Sequence, residues 1–189
     1  MGLEEAITQL SSPDECERTY AAEDIGLAGR MEGVDPLCQR VVDEPSQAVR
    51  ESIFAALALI PDNLVIERAS QLLSNDDPGI RNQALALLQS RGGAVVPELR
   101  SLLTSDSHDL RKFAVDVLSR IEPPEIEELL QIALADCDIN VVITALENVR
   151  HCHSSALRHA RYLCRISHVP YALPAPVPVL PARSGCPPP

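Results

Sequence analysis

The sequence has no tryptophan, two phenylalanines and three tyrosines, so aromatic side chains make up only 3% of its 189 residues. Proteins that hold single-stranded nucleic acid stack its bases on aromatic rings. With so few rings, such a platform is excluded. Positive charge is scarce too: 16 Lys and Arg stand against 27 Asp and Glu, a formal net charge of -11. Neutralising a phosphate backbone takes clustered Lys and Arg, so a broad nucleic-acid surface is excluded, while the acidic excess favours solubility and protein partners of basic or mixed charge. No apolar run reaches the roughly 18 residues that a bilayer span needs. The opening residues Met1-Gly2-Leu3-Glu4-Glu5-Ala6 place acids where a secretory segment needs a basic start, and Ala where N-myristoylation calls for Ser or Thr. A cytoplasmic location is expected.

Catalytic patterns are equally sparse. There is no Gly-x-Gly-x-x-Gly, Gly-x-Ser-x-Gly, P-loop or His-Glu-x-x-His. Carboxylates abound, but no spacing separates an acid–base pair from ordinary surface acids. Six cysteines (Cys16, Cys38, Cys137, Cys152, Cys164, Cys186) are scattered without a CxxC, and read as small buried or incidental thiols rather than a disulfide framework. No catalytic residue, cofactor or resident metal is expected.

What the sequence does contain is repetition. The stretch Asp77-Pro78-Gly79-Ile80-Arg81-Asn82-Gln83-Ala84-Leu85-Ala86-Leu87-Leu88 is followed by a Gly-Gly break and by Val95-Val96-Pro97-Glu98-Leu99-Arg100-Ser101-Leu102-Leu103. It returns as Asp106-Ser107-His108-Asp109-Leu110-Arg111-Lys112-Phe113-Ala114-Val115-Asp116-Val117-Leu118, a Pro-Pro break, and Ile126-Glu127-Glu128-Leu129-Leu130. Each copy is a helix, a turn and a helix, at a period of roughly 30 residues in which no single unit can bury its apolar face alone. The same register aligns Val49-Arg50 with Ile53, Val141-Val142 with Ala145, and Glu17-Arg18 with Ala21. A small or branched residue at one fixed place sets how closely neighbouring helices cross. Helices are predicted at 3–10, 13–29, 36–43, 46–60, 63–74, 78–90, 94–104, 107–120, 124–135 and 138–150. Ser12-Pro13-Asp14-Glu15 reads as a capping box with Ser12 at its head.

This arrangement resembles the HEAT-repeat family, and within it the short bacterial HEAT-like repeats of the phycobilisome lyases. The resemblance covers about residues 12–149 and rests on the acid before the first helices (Asp77, Asp106, less regularly Asp43), on Arg18, Arg50, Arg81 and Arg111, and on the Ala-x-x-x-Leu of 84–88 and 114–118. It implies an all-α fold, a right-handed α-solenoid of antiparallel helix pairs, a HEAT/armadillo-like superhelix of about four to five repeats. It also implies that Asp77, Asp106, Arg50, Arg81 and Arg111 form a structural ladder between adjacent units. The last copy departs from the pattern, with Val142 where Arg is expected. Absence of any His-Glu dipeptide excludes the family's metal-dependent hydroxylase activity.

In such repeats the second helix lines a concave surface used for partners. Its apolar positions here (Val65, Ala69, Leu72, Leu73; Val95, Leu99, Leu102, Leu103; Ile126, Leu129, Leu130, Ala133) are predicted to be buried. The remaining face carries Glu67, Arg68, Gln71, Glu98, Arg100, Ser101, Glu127, Glu128 and Gln131, a mildly acidic groove for another polypeptide or, on the plainer reading, an ordinary solvated helix face. The function expected is a protein-binding or scaffolding module. The alternative implied by the resemblance is a bilin-lyase-like subunit that assists chromophore attachment to another protein.

After Arg150 the composition changes. Residues 151–189 hold four Arg, no acid, four of the five His, three of the six Cys and eight of the sixteen Pro. Setting those four Arg aside leaves 12 basic against 27 acidic side chains in residues 1–150, net -15. The chain thus divides into a repeat solenoid (1–150), a basic His- and Cys-rich segment (151–169) and a Pro-rich tail (170–189) expected to be disordered. Three readings of the basic segment stand side by side. Residues 154–166 form a helix closing the stack; His151-Cys152-His153 with His159 and Cys164 hold a soft metal; or the segment is out-of-frame, non-native sequence. Val177-Pro178-Val179-Leu180-Pro181-Ala182-Arg183 fits the φPxφPxR form of an SH3 ligand, a form that Pro-rich tails also reach by chance.

Overall fold

Helix starts are written in the sequence by residues whose side-chain oxygen can accept from otherwise orphaned amides. Asp14, Ser46, Asp62, Asp77 and Ser107 each cap a helix in this way. In the computed structural model, which describes residues 2–121 and 126–148, these caps open five of ten α-helices. They are α1 (Leu3–Gln9), α2 (Glu15–Ala28), α3 (Val34–Asp43), α4 (Gln47–Leu59), α5 (Asn63–Leu72), α6 (Pro78–Ser90), α7 (Val96–Leu102), α8 (His108–Leu118), α9 (Glu127–Leu134) and α10 (Ile139–Asn148), with short 3-10 turns at Met31–Gly33 and Gly92–Val95. No strand occurs among the described residues, as the 3.6-residue periodicity predicts.

One detail of capping differs from expectation. α2 starts at Glu15 rather than 13, because Asp14, not Ser12, reaches the amides of Cys16 (2.7 Å) and Glu17 (3.2 Å). Ser12 instead accepts from the Asp14 amide and donates to Glu17. The caps of α4 and α8 are Ser46 and Ser107, and Asp43 and Asp106 lie exposed just ahead of them.

The chain divides into two compact units, Met1–Glu98 and Leu99–Pro189. In the first, α1 packs on α2, α2 on α4, α3 on α4 and α5, and α6 on α4 and α5; in the second, α8, α9 and α10 pack on one another. Every apolar position predicted for the second helices is buried, and so are Ala21, Ile53, Ala84, Ala114 and Ala145, the registered positions of the first helices. Burial of these positions contributes roughly 1.5–3 kcal/mol for each large side chain removed from water.

α2 and α4 approach each other closely, backbone against backbone. At Gly26 a Cβ would stand 2.6 Å from the Ala56 Cα and 2.8 Å from its Cβ. Three residues on, Gly29 adopts φ 62° and closes α2 by donating to the carbonyls of Ile25 and Gly26. Because the obstacle at Gly26 is backbone, Gly26→Ala is expected to destabilise the protein by about 1–3 kcal/mol in urea unfolding. Gly2→Ala, where a Cβ meets nothing within 4 Å, serves as the neutral control; equal midpoints for the two variants would contradict the close approach.

Candidate functional site

Two arginines on the first helices, Arg18 and Arg111, share one geometry, and Arg50 and Arg81 each show one half of it. Arg18 sets its Nε and Nη2 on the two Glu44 carboxylate oxygens, each at 2.9 Å, while Nη1 donates to the carbonyls of Ser12 (3.0 Å) and Pro13 (3.1 Å). Arg111 does the same with Asp136 (2.7 and 2.9 Å) and the carbonyls of Ser105 (3.0 Å) and Asp106 (3.1 Å). Arg50 reaches Asp77 at 2.6 Å, and Arg81 donates to the carbonyls of Asn75 (2.7 Å) and Asp76 (2.9 Å). Each paired acid also accepts from the backbone amide two residues on: Ser46, Gly79 and Asp138 respectively. A planar fork with five donors suits this double task. Arg18 and Arg111 each hold the turn before their own helix and the turn 25–26 residues later in fixed register.

Asp77 and Arg50 thus meet, as do Arg111 and the backbone of Asp106. The acids under Arg18 and Arg111 are Glu44 and Asp136, which the sequence pattern, looking for Asp directly before a helix, passes over in favour of Asp43 and Asp106. The signal that finds them is the near-constant step of 25–27 residues from each Arg. Glu44 is almost wholly buried and is shared by Arg18 and Arg40. Burial alone would push its carboxyl up, but Arg18, the Ser46 amide and Arg40 outweigh burial and hold it at about 2.

A groove of about 530 Å³ runs between α3 and α5 of the first unit. It is lined by Asp35, Cys38, Gln39, Val42, Arg68, Gln71, Leu72, Ser74 and Asn75. Arg68 forms its charged wall, donating to Asp35 at 2.6 Å and to Glu67 at 2.7 Å. Val42, 48% exposed, and Leu72 supply apolar surface, and Gln39, Gln71 and Asn75 supply amides that both donate and accept. Burial, with Asp35 adding to it, pushes the Cys38 thiol up to about 12 despite nearby Arg68, which keeps it protonated at neutral pH.

Of the predicted partner-facing residues, the groove gathers Arg68 and Gln71, with Glu67 at its edge. Glu98 accepts from the Ser70 hydroxyl at 2.6 Å. In the second unit Arg100 and Glu128 form an exposed two-point pair at 2.8 and 2.9 Å, while Ser101 offers its carbonyl to Thr104 and Glu127 and Gln131 lie half-buried on α9. The side of the groove contributed by α3 is missing from the predicted set. Its signal was present, since Asp35, Cys38, Gln39 and Val42 fall at i, i+3, i+4 and i+7.

Among the described residues no group of three or more His, Cys, Asp or Glu could hold a metal ion, and no helix is long and apolar enough to cross a membrane. Cys16 and Cys38 are free thiols, whereas Cys137, expected to be an incidental thiol, is disulfide-bonded. The closing helix, the His/Cys metal set and the Pro-rich motif all lie outside the described residues.

Among solved structures the chain is similar to an engineered protein (21% identity over 79% of this chain and 78% of that one, TM-score 0.40). It is also similar to a designed armadillo repeat protein in complex with the peptide (KR)4 (18%, 87% and 88%, TM-score 0.45). A third likeness is to the complex of CpcE and CpcF of phycocyanin lyase from Nostoc sp. PCC7120 (18%, 89% and 88%, TM-score 0.42). No curated protein matches. The family model described as HEAT repeats matches residues 3–89 and 66–150, which together span most of the chain. Helix pairs, buried registered alanines and arginine-tied turns are therefore those of a member of the HEAT-repeat family.

Proposed function

We propose that this protein is a protein-binding or scaffolding module that holds a partner polypeptide on the face of its second helices, with the α3–α5 groove as the anchoring point. The observation that carries this reading is the groove's lining: half-exposed Val42 beside three neutral amides, with its one guanidinium already satisfied by Asp35. Val42 and Leu72 can take a small apolar side chain, and Gln39, Gln71 and Asn75 can pair with the backbone on either side of it. Such a site recognises an extended segment and has nothing with which to transform it. The net charge of -15 in residues 1–150 favours segments bearing Lys or Arg outside the anchor, chiefly through faster encounter.

The test is selection of peptides from a random display library against the full chain, followed by calorimetric titration. Binders are expected to share an apolar residue flanked by basic ones, to weaken as salt rises, and to lose at least about tenfold in affinity with Val42→Glu or Gln71→Ala. Binders indifferent to both substitutions would overturn the groove as the anchoring point.

A further inference from the structure

In the α3–α5 groove two carboxylates share one guanidinium. Arg68 donates through Nε to Asp35 on α3 at 2.6 Å and through Nη1 to Glu67 on its own helix at 2.7 Å. Asp35 lines the groove, whereas Glu67 lies at its edge. One carboxylate is therefore in excess, and it stands where a bound segment would run.

This ion pair is built unlike the pairs of Arg18 and Arg111. Those are almost wholly buried, and their acids also hold a backbone amide. The Asp35 and Arg68 side chains are 50% and 27% exposed, so water reaches both. Among the described residues Asp35 meets no donor other than Arg68, and α3 starts without a side-chain cap. Half-exposed pairs of this kind contribute little to stability and come apart readily. Breaking this one strands no charge on Arg68, which keeps the exposed Glu67.

We propose that Arg68 is a placeholder, and that an arginine of the partner segment displaces it from Asp35 when the segment enters the groove. The pair itself shows that the Asp35 carboxylate receives a guanidinium at this place. Before binding, Arg68 serves both acids; afterwards Asp35 holds the partner's arginine and Arg68 holds Glu67, so each acid has a cation of its own. A neutral segment has nothing to put in Arg68's place, and an acidic one meets Asp35 and Glu67 with like charge. The exchange thus selects the partner by charge, while the affinity comes from the apolar and amide lining. Val42 follows Asp35 by two helical turns, about 10 Å along α3. An extended segment advances about 3.3 Å per residue, so its arginine falls about three residues from the apolar side chain that Val42 and Leu72 receive. This inference rests on the groove as the anchoring point and adds to it one residue of the partner.

Peptides selected from a random display library against the full chain, titrated calorimetrically against Arg68→Met and Asp35→Asn, test it. Binders are expected to carry arginine about three residues from their apolar residue. Arg68→Met, which frees Asp35, should tighten them at least about threefold, and Asp35→Asn should weaken them at least about threefold and let glutamine replace that arginine without loss. Binders that keep the apolar residue but lack arginine at a fixed spacing, or that ignore Asp35→Asn, overturn the exchange and leave the groove standing. Equal or weaker binding by Arg68→Met overturns it as well, for Arg68 is then a strut or a direct contact. Failure to select any binder, or binders indifferent to Val42→Glu and Gln71→Ala, removes the groove itself, a separate failure. Should Arg68→Met not fold, Arg68→Gln replaces it with the same expected sign.

Discussion

Arg111→Ala is expected to lower the unfolding free energy by about 3–5 kcal/mol, because it leaves a buried carboxylate without its countercharge. The Arg111 and Asp136 side chains are only 4% and 5% exposed, so water cannot take over the vacated bonds. The carbonyls of Ser105 and Asp106 lose their donor in the same step. Arg111→Lys should recover little, since one ammonium cannot span both carboxylate oxygens and two carbonyls. By contrast, the pair formed by Arg100 and Glu128, with side chains 47% and 59% exposed, is screened by solvent, and Arg100→Ala should cost far less. Equilibrium urea unfolding of the variants decides the matter. An Arg111→Ala midpoint no lower than that of Arg100→Ala would remove the forked arginine from the forces that hold the second unit.

Lowering the pH should weaken the first unit through Glu44. Its folded carboxyl, at about 2, lies below the ordinary value of 4.5. A depressed folded value means that the stabilisation is fully present above about pH 4.5 and is lost as the pH falls through 2. The shift corresponds to an upper bound of about 3 kcal/mol, reduced by whatever screening water provides. Glu44→Gln should already lack most of this at neutral pH and show a flatter stability profile between pH 4.5 and 2. Other carboxyls held low by arginines or backbone amides, such as Asp77 and Asp138, titrate alike in both proteins, so the difference profile isolates Glu44. Parallel profiles would mean that Glu44 contributes no acid sensitivity.

How much was legible in the chain alone varies with the range of the interaction. The helical repeat, its register and its buried apolar positions were readable because each depends on the spacing of residues within one or two turns. Leu99, Leu103, Leu129 and Leu130 declare their burial by position in the stripe, and Ala84 and Ala114 by recurrence. Capping was readable to within two residues: Ser12, Asp14, Asp43 and Ser46 are all competent acceptors, and only the path of the chain decides which one faces free amides.

The ladder was half legible. Arginine is conspicuous in a sequence with few basic residues, but its acid is Glu44 in one turn and Asp136 in another, each well over twenty residues away. Nothing local marks either carboxylate as buried. The groove was legible on its α5 side, through Arg68 and Gln71, and unseen on its α3 side, since a groove is a relation between two helices.

By itself, then, the sequence determined that this chain is built of HEAT-type helix pairs, which apolar side chains fill them, and that its surface is acidic, for these follow from periodicity, local propensity and composition. Tertiary structure decided which acid each arginine meets and which polar residues of α3 and α5 share one groove. It also decided that Ile139 and Ile143 of α10 stay exposed. Those outcomes depend on distances across space between residues far apart in the chain, and no local spacing rule contains them.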